Sequence, residues 1–213
     1  MKKLATAFAA GALALTLSAC SEGNGGGGNA HAQQTAANGD VFNTADVDFA
    51  TAMIPHHAQA LVMVDLTRGR ELSPQVQHLT DQIQAAQAPE IEQMVDWLTA
   101  WGEPVPATTR DHLNSGDHGV SGHDMGGTDM PDSDMPGMMS DEQLDELDAA
   151  QGQEFEAMWL ELMIAHHEGA IQMAQEEQED GAFTEAVALA ESIETSQQDE
   201  IDHMRKLLAD LPS

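Results

Sequence analysis

The stretch MIAHHEGAIQMA, residues 163–174, sets two adjacent histidines between two methionines inside a run of helical periodicity. Residues 53–64, MIPHHAQALVMV, give nearly the same phrase 110 positions earlier. At about 100° per residue, Met53, His56, His57, Ala60 and Met63 fall within an arc of about 120° on one helix face. Met163, His166, His167, Ala170 and Met173 repeat that arrangement. One such phrase fits chance core packing; two at a fixed offset point to a duplication.

The offset holds through the rest of each half. Ile83, Gln87, Glu90, Ile91, Met94 and Leu98 meet Ile193, Gln197, Glu200, Ile201, Met204 and Leu208 without a gap over about 45 positions. Apolar residues three and four apart predict helices near 44–69, 74–101, 141–179 and 183–209. Arg68-Gly69-Arg70 with Ser73-Pro74, Gly102 with Pro104 and Pro106, and Asp180-Gly181 supply the breaks. Ser140 and Gln143 have the spacing of a capping box. The expected fold is all-α: a ferritin-like, up-down-up-down four-helix bundle built from a duplicated helical hairpin. Pro55, whose counterpart is Ala165, is expected to kink the first helix just before His56.

Working outward, residues 1–20 read as an export signal: MKK, an apolar run from Leu4 to Leu17, then Leu17-Ser18-Ala19-Cys20, which has the form of a bacterial lipobox. Cys20 is the only cysteine and the expected site of lipidation, so no thiolate remains for a metal. The Gly-rich stretch 21–43 is expected to be a flexible tether. The domain then spans 44–210, with hairpins at 44–101 and 141–209 and a His/Met-rich loop at 102–140. Beyond residue 20, five basic residues face 37 acidic ones. That balance argues against nucleic acid and against docking on anionic lipid, leaving the N-terminal lipid as the membrane contact. The expected location is extracytoplasmic: the outer face of the cell membrane or the periplasm.

Without thiolates, metal chemistry must use His, Met, Asp or Glu. A lone histidine or methionine on an apolar helix face is ordinarily core. Four imidazoles in matched pairs need partners, and a metal ion is an economical one. The candidate ligands are His56, His57, His166 and His167 with Met53, Met63, Met163 and Met173, joined from the partner helices by Met94, Met204, Glu200 and His203. Adjacent histidines splay by about 100°, so one of each pair is expected to point inward and the other toward the surface or a hydrogen-bond partner. In the loop, His118, His123, Met125, Met130, Met135, Met138 and Met139 sit among Gly, Pro and Asp, where no core is expected to bury them. Thioethers with imidazoles suit Cu(I), favoured here, while imidazoles with carboxylates can hold Cu(II). The loop is expected to bind more weakly and to pass ions inward.

The phrases FATAMIPHHAQALVM, FEAMWLELMIAHHEGAIQMA, EIEQMVDWL, EIDHMRKLL and PGMMSDEQLDEL resemble the bacterial "domain of unknown function 305" family over about residues 45–209. The resemblance implies a ferritin-like fold, export in many members and copper binding through His and Met in some. Gln59 and Val62 stand where the second copy has Gly169 and Gln172, so the two sites need not be equivalent. The reading is a membrane-anchored copper-binding protein that sequesters or handles copper; nothing in the sequence marks an organic substrate pocket. The alternatives are a di-metal redox protein using iron at the E-x-x-H of Glu200 and His203, and a metal-free helical module that binds another envelope protein. Because imidazole ligates when neutral, binding is expected to fade as pH falls through the histidine range.

Overall fold

A computed structural model describes residues 32–108 and 135–211. Among them are five helices: α1 (Thr44–Asp65), α2 (Pro74–Trp101), α3 (Asp141–Ala149), α4 (Gly152–Asp180) and α5 (Thr184–Asp210). The four long ones form the bundle. A small antiparallel pair, β1 (Gln34–Thr35) and β2 (Val41–Phe42), precedes it, with Gln34 opposite Phe42. The predicted tether therefore ends earlier than residue 43. Phe42 is buried because it stacks on Trp101, ring centroids 4.6 Å apart.

Asn43 starts α1. Its side chain accepts from the amides of Ala45 and Asp46, and Asp46 accepts in return from the Asn43 amide at 2.6 Å. Asp46 also accepts from the amides of Ala182 and Phe183, and Asn43 Nδ2 donates to the Asp180 carbonyl at 2.7 Å. One capping box thus ties the start of the first hairpin to the turn of the second. The helix is continuous through Pro55 despite the missing amide. α2 begins with Ser73 and Pro74 and ends at Gly102, whose φ of 79° is the left-handed cap.

The predicted helix over 141–179 is two helices. Ser140 and Gln143 form the expected capping box, but α3 stops at Ala149 and the chain turns at Gly152, φ 56°. Arg70 explains the break. Its guanidinium donates to the carbonyls of Ala150 and Asp148, its Nε donates to the Leu66 carbonyl, and the group lies over the Phe155 ring at 4.1 Å. Carbonyls left unpaired by ending α3 are satisfied from the first hairpin.

The interior is two apolar clusters. One holds Phe49, Met53, Ile54, Met94, Trp97, Met173 and Ile193; the other holds Ala60, Met63, Ile83, Met163, Trp159, Ile201 and Met204. Every repeat pair is split between them: Met53 from Met163, Met63 from Met173, Ile83 from Ile193, Met94 from Met204. The two copies are therefore packed about a pseudo-two-fold axis. In each of α1 and α4 the segment that crosses from one cluster to the other carries the HH pair.

Near the Asp46 cap, Glu177 is 2 % exposed, packed against Gly181, and neither carboxyl oxygen receives a protein N–H. Burial, reinforced by a hydrogen bond to Asp46 and by the charges of Asp46 and Asp180, pushes it up to about 9. The unfolded carboxyl ionises near 4.5, so the stability contributed by the neutral form is complete below 4.5 and is lost as pH rises toward 9. Glu177→Gln should remove this slope and raise stability near pH 8 by about 2 kcal/mol. Urea midpoints of both proteins across that window check it; parallel pH profiles would show that Glu177 is not the titrating group.

Candidate metal centre

All four histidines are fully buried. His57 on α1 pairs through Nε2 with Glu90 of α2 at 2.8 Å, and His167 on α4 pairs through Nε2 with Glu200 of α5 at 2.7 Å. The other histidine of each pair turns to the axis. The rings of His56 and His166 lie 3.8 Å apart at 38°. His56 Nε2 meets the Pro136 carbonyl at 3.0 Å, whereas neither nitrogen of His166 has a hydrogen-bond partner. Nδ1 is unpartnered in all four rings, and so are the buried amide groups of Gln87 and, at its oxygen, Gln197.

Buried polar atoms without partners cost about 1–3 kcal/mol each. A layer of them between two apolar clusters is stability given up for some other purpose. Burial, then the neighbouring His57, pushes His56 down to about 3; burial, then His56, pushes His166 well below its ordinary 6.5. Both rings stay neutral where an exposed histidine would charge. The unfolded chain takes up protons near 6.5 that the fold refuses, so this contribution to stability is present above 6.5 and lost as pH falls toward 3. At these two rings, binding that fades through the ordinary histidine range does not follow. Acid acts first on the fold.

The thioethers flank the layer in two groups. Met53, Met94 and Met173 lie in one cluster and Met63, Met163 and Met204 in the other, all essentially buried. Met139 joins the second group. Its burial, and that of Met135, corrects the expectation of exposed loop methionines; Met138 is half-buried. The cause is a strap, residues 135–140, held by Gln59, whose amide accepts from the Met139 N–H at 2.7 Å and donates to its carbonyl at 2.8 Å. Within it, Gly137 (φ 75°) meets Gly169 of α4 backbone to backbone. Gln59 and Gly169 are repeat counterparts, so the copies differ where one grips the strap and the other makes room for it. Sequence reasoning registered the divergence and missed its meaning.

Glu200 is engaged with His167, and His203 is half-buried. Among the described residues no three His, Cys, Asp or Glu side chains are grouped to hold a metal ion. The carboxylates of a di-iron site are therefore not assembled there, and a metal in this layer would need thioether as well as imidazole. Cys20, His118, His123, Met125 and Met130 lie outside the described residues. No described helix is long and apolar enough to cross a membrane.

Fold and layer together define a duplicated four-helix bundle with a buried imidazole core. The chain belongs to the DUF305 family, described as a domain of unknown function, which matches residues 46–208. It is similar to a DUF305 protein of Streptomyces coelicolor, provisionally described as secreted, at 30 % identity over 78 % of this chain and 93 % of that one, TM-score 0.63. A DUF305 fragment from Deinococcus radiodurans is 27 % identical over 84 % of this chain and all of its own, TM-score 0.64. CopM in its Cu(II)-bound form is 27 % identical over 78 % of this chain and 96 % of its own, TM-score 0.59, and a Cu(I)-bound form of CopM is also similar. No curated protein matches the chain in sequence.

Proposed function

We propose that the protein binds copper in the imidazole layer and serves to sequester it or pass it on, from a position outside the cytoplasm where Cys20 carries a lipid anchor. The observation that carries this is the set of buried Nδ1 atoms without partners, His56, His57, His166 and His167, between two groups of thioethers. Neutral imidazole and thioether are ligands for Cu(I), and a soft ion would satisfy atoms that the fold leaves bare. The copper-bound forms of CopM support the choice of metal. The strap methionines and the His/Met-rich loop would supply weaker sites on the way in.

An anaerobic Cu(I) titration of the chain without residues 1–20, competed against a coloured chelator, tests this. Tight uptake is expected, weakened at least about 100-fold when all four histidines become alanine. Between neutral and mildly acidic pH, acid should not displace the ion from His56 in the folded protein, since protons do not compete for that ring until about 3. Absence of tight uptake, or uptake indifferent to the four substitutions, defeats the proposal.

A further inference from the structure

Glu90 and Glu200 are repeat counterparts, each 33 residues beyond its histidine, and each meets that histidine at Nε2 rather than Nδ1. A carboxylate facing Nε2 accepts from it, so the tautomer of the uncharged ring that serves this pair carries its proton on Nε2. The same choice leaves Nδ1 with a bare lone pair, and Nδ1 of both rings is buried without a partner. The carboxylates are 16 % and 19 % exposed while the rings are at 0 %. Each glutamate thus stands at the rim, where water still reaches it, and holds a ring that water does not reach.

From this geometry we propose that Glu90 and Glu200 are positioning residues: each fixes its histidine with the proton on Nε2 and presents a bare Nδ1 inward as a ligand for a soft metal ion. The inference rests on the copper reading and deepens it. It also takes Glu200 out of the ligand set and separates it from the E-x-x-H pattern, since its partner is His167 on α4 and not His203 one turn away. A carboxylate on the far nitrogen orients an imidazole and raises its basicity toward a metal, and losing such a partner lowers metal affinity about 10–100-fold. His56 has a weaker form of the same device in the Pro136 carbonyl, and no nitrogen of His166 makes a hydrogen bond of good geometry. The centre is therefore graded, with two rings held by carboxylates, one by a carbonyl and one unheld.

Two measurements decide it. Long-range 1H–15N spectra of the metal-free protein should show Nε2 protonated and Nδ1 bare at His57 and His167; a proton on Nδ1 of either ring overturns the assignment. In Glu90→Gln and Glu200→Gln the amide can present either its oxygen or its NH2, so mixed tautomers are expected at the adjacent histidine alone. Cu(I) affinity should fall about 10–100-fold, with helical circular dichroism retained. An unchanged tautomer together with affinity within threefold of the parent refutes a positioning role. Should the parent protein take up no copper, the copper proposal falls, while the spectra still decide which nitrogen each glutamate fixes.

Discussion

His166→Leu is expected to make the metal-free protein more stable and to remove much of its affinity for Cu(I). The imidazole has one N–H and one lone pair, both buried; neither makes a hydrogen bond of good geometry, the His56 backbone offering a weak one, and its ring faces that of His56 at 3.8 Å. Leucine fills a similar volume with no polar atom to satisfy. Relief of the unpaired donor and acceptor, offset by lost ring contact, should leave a gain of about 2 kcal/mol. In a domain of this size that is a rise of about 6 °C in Tm. Adding copper at about 1,000 times its Kd should then stabilise the parent by about 4 kcal/mol and the variant much less. His57→Leu is the control of opposite sign, because it strands the Glu90 carboxylate that His57 now satisfies. Calorimetry of the three metal-free proteins tests the order. A His166→Leu protein less stable than its parent would mean that the ring already has a partner, and the argument from bare nitrogens would fail.

Much of the fold was legible because helix-forming periodicity and a gapless 110-residue repeat are local signals. The starts of α1 and α2, the end of α2 and the capping box of α3 follow from residues next to them. The break before α4 does not. It depends on Arg70, about 80 residues away in the chain, reaching carbonyls that no nearby residue satisfies. The site divides in the same way. The HH pairs and their thioethers stand out as repeated residue types on one face. Which nitrogen is engaged depends on glutamates from other helices and on one strap carbonyl. The strap was read as plain loop because Gly, Pro and Met look unstructured when the Gln59 that grips them lies elsewhere. Asp46 was invisible for a similar reason: three of the amides it serves belong to residues 43, 182 and 183, and only the first is its neighbour.

Gly169→Ala should destabilise the protein by about 2–3 kcal/mol, although helix propensity alone would favour alanine by about 0.5–1 kcal/mol. Gly169 sits within α4, so its backbone conformation suits alanine. The obstacle is space. A Cβ there would overlap the Pro136 carbonyl group and come within 2.9 Å of the Gly137 amide nitrogen. These are backbone atoms that cannot swing aside as a flexible side chain would. From the opposite side, a Cβ on Gly137 would meet the Ala165 carbonyl oxygen and the Cα atoms of Gly169 and His166, the latter two at 3.1 Å. The strap must lift, and lifting strains the two hydrogen bonds between Gln59 and Met139 and the one between His56 and Pro136. Met139, only 5 % exposed, would lose part of its packing in the second cluster. Two readouts separate this from ordinary helix weakening: the urea midpoint should fall, and the Met139 amide should lose protection from hydrogen exchange before the amides of α4 do. If the alanine protein matches or exceeds its parent in stability and Met139 stays protected, the strap does not rest on this pair of glycines. With the strap raised, His56 would also lose the acceptor for its Nε2 proton. A change at a glycine bearing no ligand would then reach the metal layer through one backbone carbonyl.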